Sequence, residues 1–516
     1  MRIHELHIND FKFFSEAEPD SPLLKIDGKH LLIYGENGSG KSTIYWALYT
    51  LLESSLKKSD DDIRKYFKKT GNDSLVNIFA TGRNDTHIKA VLKDGSNTKT
   101  YRVSRKSRDL SIRGNAAVQE SNMASDFINY RVLFQLHNLK HSKDNDLWNW
   151  FSEEVLPYVK IGNVPCLKTL EELQKGPEKV KNIHGVDVYP TASLSKSKVE
   201  QEAKDYQKYK DYKNEVKKWN DWLYIFLNDI TVKANNLIQN EFKYNFKIQL
   251  DFKQKAFEIN ETEFKFHQPQ IIISIPEYQG IQNPNIKKPH TFLNEAKWSA
   301  IGLSIRFAIL DIKLYTAELK TLVIDDMLIS LDMSNRDVVL DLLFNKYSND
   351  YQLILMTHDR FLFELAQYKI ATLRQTNWMY LEMFENENNG QPKPLIIEKS
   401  NQIQKAWALF LAKELDLSAN TLRKATEKLC KAYLTLHERL NVDYSVKNLH
   451  GMIEAFKVKG TANGLSAAKL TKLMEYKDRI LNPNSHYDIE TPLFKTELEK
   501  AIKTVEELAN DTGINV

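Results

Sequence analysis

One run of eight residues, Gly35-Glu36-Asn37-Gly38-Ser39-Gly40-Lys41-Ser42, restricts the fold more than any other feature of this chain. It fits the pattern G-x-x-x-x-G-K-[ST]. In that pattern the glycines let backbone N–H groups converge on phosphates, the lysine reaches the β- and γ-phosphates, and the hydroxyl ligates Mg²⁺. Such a loop works between a strand and a helix whose N-terminal end faces the anion. The flanks supply both: "HLLIY" is a short apolar strand, and "KSTIYWALYTLLESSLKK" repeats apolar residues at helical spacing. Gly35 through Thr43 are therefore the expected contacts of a nucleoside triphosphate, with ATP and Mg²⁺ as cofactors.

The second half of such a site needs carboxylates. "TLVIDDMLISLD" is an apolar strand that delivers Asp325 to its end, where it can hold Mg²⁺ through water. Asp326 follows as a general base for the attacking water. "TLVIDD" and "YQLILMTHDR" flank the helix "SNRDVVLDLLFNKY", a βαβ rhythm that predicts a parallel sheet. "RIHELHI" alternates like a half-buried strand. From about Ser74 to Ser107, "SLVNIFATG", "THIKAVLKDGSN" and "TKTYRVSRKS" read as an antiparallel meander, with "NFKIQLDF" and "QIIISIPEYQG" as later strands. The charged run "SKSKVEQEAKDYQKYKDYKNEVKKWNDWLYIFLNDI" is helical with irregular apolar spacing, which favours a packed or partner-facing helix over a long coiled coil.

A P-loop near residue 40, a distant "DD…SLD" and a histidine after the next strand resemble the split ATPase head of the ABC class. The opening "IHELHINDFKFF" is similar to its RecF, Rad50 and SMC branch, and the resemblance covers about residues 1–395. It implies that His358 contacts the γ-phosphate, that Asp332 belongs to a loop crossing a dimer interface, and that Gln135 in "VLFQLHN" senses Mg²⁺ and water. Where that class carries its signature motif this chain has Leu293-Asn294-Glu295-Ala296-Lys297. The usual serine and glycines are gone, although Asn294 can still cap the following helix and donate to a phosphate. Asp326 also stands where the class has glutamate. Both departures point to slow or conditional hydrolysis. Such heads bury ATP between two copies, one supplying Lys41, Ser42, Asp325 and Asp326 and the other Asn294 with Glu295, so a homodimer or higher oligomer is implied.

Together with "THDRFLFEL", the motif set resembles bacterial anti-phage defence ATPases: the Septu ATPase PtuA type, also found beside some retrons, and the anticodon-nuclease ATPases of the PrrC and RloC types. The zinc-hook cysteines of the RloC type are absent, and the two cysteines, Cys166 and Cys430, form no CxxC pair or disulfide framework.

Past Lys399 the pattern is helical. "SANTLRKATEKLCKAYLTLHERL" places Leu422, Ala425, Leu429, Ala432, Leu436 and Leu440 on one stripe, and "SAAKLTKLMEYKDRIL" and "TPLFKTELEKAIKTVEEL" are two further amphipathic helices. Between those two, "RILNPNSHYD" resembles the ribonuclease motif of HEPN domains, with six residues separating Arg479 from His486. The resemblance implies a metal-independent site in which His486 is general acid or base toward a ribose 2′-hydroxyl. Arg479 would stabilise charge on the phosphate, and Glu427 would be a third polar member. The alternative is a non-catalytic docking domain: Ile480 stands where active members carry a polar residue, and His486 then bonds to the loop backbone.

A net charge of +4 over 516 residues argues against a protein that coats nucleic acid. The cluster Arg102, Arg105, Lys106, Arg108 and Arg113, and the stretch "KVKGTANGLSAAKLTK", read as solvated surface ahead of an RNA or DNA track. The N-terminus lacks an apolar h-region and no apolar run reaches membrane-spanning length, so a cytosolic protein without a membrane partner is expected.

The expected class is α/β: an ABC-type P-loop head with a mixed sheet, an antiparallel lobe and a helical insertion, followed by an all-α bundle. Its expected parts are residues 1–155, the insertion 156–240, the second half of the head 241–398, and the helical domain 399–516. Three functions remain open. The first is an ATP-dependent regulator of a separate HNH nuclease (PtuB-like), with a retron reverse transcriptase and its msDNA as further implied partners. The second is a single-chain ATP-gated ribonuclease, and the third a RecF-like DNA-repair ATPase.

Overall fold

The computed structural model describes every residue except 16–23, 81–84, 130–145, 163, 183, 192–199, 254–256, 287, 313–316, 389, 399–401, 482–494 and 515–516. Two compact units result. The first comprises Met1–His30, Gly35–Asp359 and Phe384–Leu395, and the second Leu31–Tyr34, Arg360–Met383 and Ile396–Val516.

In the first unit the strand Thr321–Asp325 runs parallel to Gln352–Thr357 on one side and to Asp126–Asn129 on the other, with Val323 opposite both Ile354 and Phe127. Every residue of Thr321–Asp325 and of Gln352–Thr357 is buried. That is why both read as unbroken apolar runs: a parallel strand is covered on both faces. The helix Met333–Leu342 connects them, as the βαβ rhythm predicts.

The antiparallel lobe is assembled differently from the expected meander. His87–Asp94 and Asn97–Ser104 pair as a hairpin, but the strand on the other side of His87–Asp94 is the N-terminal Arg2–Asn9. "SLVNIFATG" contributes only an isolated bridge, Val76 to Phe11, among its described residues. Asn77 is the reason. Its side chain accepts from Phe79 N at 2.8 Å and donates to Lys12 O at 2.8 Å, which turns the chain after Asn77 and leaves Ile78 78% exposed.

The helix Glu200–Asn236 buries Tyr212, Val216, Trp219, Leu223, Phe226 and Ile230, at steps of three and four. It is a packed helix, in contact with the helix Glu295–Ile312 and the strand Phe246–Lys253. Two side chains stitch it to that strand. Thr231 Oγ1 accepts from Leu250 N at 3.2 Å, and Asn235 bonds both N and O of Ile248 at 2.8 Å. Phe246–Lys253 pairs antiparallel with Gln270–Tyr278.

The second unit carries the helices Gln402–Leu411, Leu415–Tyr433, Leu449–Ala462, Ala467–Tyr476 and Lys495–Thr512 around an apolar core. Leu422, Ala425 and Leu429 enter that core, but the continuous stripe to Leu440 does not form. The helix ends at Tyr433, Ala432 faces solvent, and Leu436 is 72% exposed. Leu434 is extended, and Glu438 accepts from the amide and hydroxyl of Thr435, starting a new turn there. The expected class holds: an α/β P-loop head followed by α-helices.

Candidate nucleotide site

The strand His30–Gly35 leads into the loop, and the helix Lys41–Glu53 leaves it. Gly38 and Gly40 have φ of 91° and 96°, in the left-handed region that side chains strain to enter. Space is short as well: a Cβ on Gly40 would lie 2.7 Å from the Phe13 ring, and one on Gly38 3.1 Å from Glu385 Oε2. Because the N-cap is glycine, no side chain caps the first N–H groups of the helix, and these groups with the helix dipole suit an anion. Lys41 is buried and donates to the carbonyl oxygens of Gly35 at 2.6 Å and Glu36 at 3.1 Å. Burial holds its ammonium below the ordinary lysine range, opposed by the charges of Asp326 and Asp325.

Asp325 closes its strand with 7% exposure. Burial pushes its carboxyl up, while a hydrogen bond from Ser42 and the charge of Lys41 favour the anion and Asp326 opposes it. Its buried Oδ1 has no hydrogen-bond partner among the described residues, and neither does Ser39 Oγ of the loop. An orphaned carboxylate oxygen beside a serine hydroxyl fits Mg²⁺, which takes one or two protein oxygens and completes its shell with phosphate and water.

Asp326 is a non-glycine residue at φ 53°. Its N donates to Met356 O at 3.0 Å, which bends the chain end so that the carboxylate meets His358. Oδ1 accepts from the backbone N of His358 at 2.9 Å and lies 3.0 Å from its Nδ1. With the Nδ1 hydrogen directed at Asp326, the outer nitrogen of a neutral ring is an acceptor, and an imidazolium donates from both sides.

Asn294 Oδ1 accepts from Lys297 N at 3.1 Å, so it caps the helix Glu295–Ile312 as its residue type predicts. Glu295 is exposed in the first turn of that helix. Asp332 caps the helix Met333–Leu342, accepting from Asn335 N at 2.7 Å. Asn335 Nδ2 in turn donates to Ala296 O at 3.0 Å and ties the two caps together. Asn335 was not singled out from sequence; only its place three residues past a capping Asp marks it.

Gln135 and His486 lie outside the described residues. Arg479, with its side chain 62% exposed, pairs with Glu497 at 2.9 Å, and Glu427 pairs with Arg423 at 3.2 Å. Each is thus held in its own ion pair. In the basic cluster Arg102 and Arg108 share Asp109, at 3.2 and 3.6 Å, Arg113 pairs with Asp60 at 2.5 Å, and Lys106 pairs with Asp85. No helix of the described residues is long and apolar enough to cross a membrane.

Solved structures similar to this chain include an SmcHead bound to the C-winged helix domain of ScpA, at 13% identity over 77% of this chain and 98% of that one, with a TM-score of 0.39. Another is a Pyrococcus furiosus Smc head with an extended coiled coil bound to the C-terminal domain of ScpA, at 14% identity over 80% and 99%, with a TM-score of 0.38. The recombination mediator RecF with ATP is similar at 11% identity over 77% and 98%, with a TM-score of 0.40. A comparison with curated proteins finds no match. The AAA_23 family, described as an AAA domain, matches residues 5–288, more than half of the chain and the part that carries the phosphate loop. The chain belongs to this AAA domain family.

Proposed function

We propose that this chain binds and hydrolyses Mg²⁺-ATP between paired copies of its head, and that the nucleotide state restrains or releases a separate nuclease in anti-phage defence. The observation that carries the hydrolytic part is the grouping of Lys41, Ser42, Asp325, Asp326 and His358 around one phosphate loop. Ser42 and Asp325 would hold Mg²⁺, which when bound neutralises charge on the β- and γ-phosphates. Lys41 leaves the carbonyls of Gly35 and Glu36 for the phosphate oxygens. Asp326 orients water for in-line attack and takes its proton as the bond from the γ-phosphorus to the β-phosphate oxygen breaks. His358 holds the Asp326 carboxylate in place.

Pairing of heads is supported by Asn294, which caps a helix N-terminus suited to a second copy's γ-phosphate. The defence assignment and the HNH nuclease partner are supported by the resemblance of the motif set. Sedimentation of the Asp326→Ala chain with and without Mg²⁺-ATP tests the pairing, and a nucleotide-insensitive monomer overturns it. Co-purification with the product of the neighbouring gene, followed by nuclease assay with and without ATP, tests the control. A chain that cuts tRNA by itself and loses this on His486→Ala would overturn the separate-nuclease reading.

A further inference from the structure

We propose that Asn335 is a positioning residue that acts across the pair of heads: it fixes the Asn294 end of the helix Glu295–Ile312, and so serves the nucleotide site of the second copy and not that of its own chain. This role rests on the pairing of heads proposed above.

Asn335 is 2% exposed, and its planar amide is used on both sides. Nδ2 donates to Ala296 O at 3.0 Å, and Oδ1 accepts from the Tyr244 hydroxyl at 3.3 Å. A carbonyl oxygen can only accept, so the amide nitrogen is the atom that faces Ala296. The bond is not needed to satisfy that carbonyl. Ala296 is the second residue of its helix, where a carbonyl oxygen already meets the amide four residues on. What the second bond adds is position.

The same turn is held from another side. Lys297 Nζ donates to the Tyr278 hydroxyl at 2.8 Å and lies 5.1 Å from the centre of that ring. Phe246 stacks with both Tyr244 and Tyr278, at centroid distances of 5.9 and 6.3 Å. The tyrosines that hold Asn335 and Lys297 therefore belong to one packed group. Asn294, which accepts from Lys297 N at 3.1 Å, takes its place from that group.

The neighbour of Asn335 points the other way. Arg336 Nη1 donates to Asp359, next in sequence to His358, at 2.8 Å, and its Nε donates to Leu331 O at 2.9 Å. Asp332 joins the two residues: its carboxylate accepts from Asn335 N at 2.7 Å and its carbonyl oxygen from Arg336 N at 2.9 Å. One helical turn thus ties the Asp326–His358 segment to the Asn294 end, and the Asn335 side chain reaches only the second of these. Removing that side chain leaves Lys41, Ser42, Asp325, Asp326 and His358 with their partners, while the Asn294 end loses its anchor. Pairing must then order an end that the bridge had ordered in advance, and lost preorganisation is read as lost affinity.

The test places the substitution in one copy at a time. Wild-type chain, held too dilute to pair with itself, is titrated with an excess of Lys41→Ala chain, whose own loop is weakened for nucleotide but whose Asn294 end is intact. ATP turnover by the wild-type chain should rise with the added chain. Asn335→Leu keeps the volume and loses both side-chain bonds. Carried by the Lys41→Ala chain, it should cut that rise at least about fivefold; carried by the chain that turns over, it should change the rise less than about twofold. Tyr244→Phe removes one hydroxyl and keeps the ring, so it serves where Asn335→Leu does not fold, and its loss should fall on the same copy. Equal losses from both placements would make Asn335 a support of the fold alone and overturn the proposal, as would no loss from either. No rise with the Lys41→Ala chain sinks the pairing and this role with it, whereas a rise that Asn335→Leu leaves intact sinks this role alone.

Discussion

Asp326 and His358 are joined twice through one oxygen: Asp326 Oδ1 accepts from the His358 amide at 2.9 Å and lies 3.0 Å from the ring Nδ1. The carboxylate is therefore held by the strand end that follows Met356, and in the proposed mechanism Oδ2 is the oxygen that takes the proton from water. Asp326→Asn keeps an acceptor for the amide and tolerates φ of 53°, because asparagine enters the left-handed region readily. It cannot take a proton. Turnover should fall roughly 10²- to 10⁴-fold with ATP affinity preserved. Asp326→Ala should lose turnover and also cost about 1 kcal/mol of stability from the left-handed backbone. Single-turnover hydrolysis beside equilibrium nucleotide binding separates the two effects, and undiminished hydrolysis by Asp326→Asn removes Asp326 from the proton transfer.

Lys41 tests the loop itself. Its ammonium sits at 2.6 Å from Gly35 O with two carboxylates contributing to its charge state, so the side chain is already stationed at the phosphate end of the loop. Lys41→Ala should reduce ATP affinity by more than about tenfold, the loss of one charge-assisted hydrogen bond being worth roughly 1.5–3 kcal/mol. Titration with a fluorescent ATP analogue reads this directly. Unchanged affinity would move the nucleotide away from Gly35–Ser42.

How far the molecule could be read in advance differs by element, for physical reasons. The P-loop and the Asp325 strand were legible because both are local: glycine spacing and a run of apolar residues state their geometry without tertiary help. The cap at Asn294 was legible as a residue type, since a short polar acceptor before a helical run has few other uses; the cap at Asp332 was not, that residue being read only as part of a loop at a dimer interface. "SLVNIFATG" misleads because its apolar residues suit a strand, while a single Asn77 imposes a turn. The Asn335 link to Ala296 spans 39 residues, so no window of sequence contains it. The helix Leu449–Ala462 is hard to delimit in the sequence because Gly451 and Gly460 weaken its helical pattern and its C-terminal end runs into the basic stretch that begins at Lys457. At Gly460 a Cβ would lie 3.0 Å from Leu465, so tight packing accounts for that glycine.

Acid should destabilise the head through His30. Its Nδ1 accepts from Leu353 N at 2.9 Å, and burial followed by the charge of Arg2 lowers its pKa to about 4. The folded-state value lies below that of an exposed imidazole, so the unfolded chain binds the extra proton first. This group costs no stability well above pH 6.5, and stability falls as pH drops from 6.5 toward 4, by up to roughly 1.4 kcal/mol per pH unit. His30→Asn retains an acceptor for Leu353 without titrating. Urea midpoints at pH 7 and pH 5 should therefore differ less for His30→Asn than for the wild-type chain. Equal pH slopes would mean that His30 is not the group responsible.

The ion pair of Arg306 with Asp126 makes the sharpest stability prediction, because both partners are nearly inaccessible, at 2% and 3% exposure. Desolvating two charges offsets much of their attraction, so the pair as a whole contributes little net stability, whereas a lone survivor is costly. Arg306→Met leaves Asp126 buried against the strand Thr321–Asp325 without its guanidinium and should cost about 3–5 kcal/mol. Adding Asp126→Leu removes the stranded carboxylate and should restore most of that loss. Urea unfolding of the two variants beside the wild-type chain reads the difference. A double variant no more stable than Arg306→Met would show that the helix Glu295–Ile312 depends on this charge pair for its packing, and that apolar volume cannot take its place.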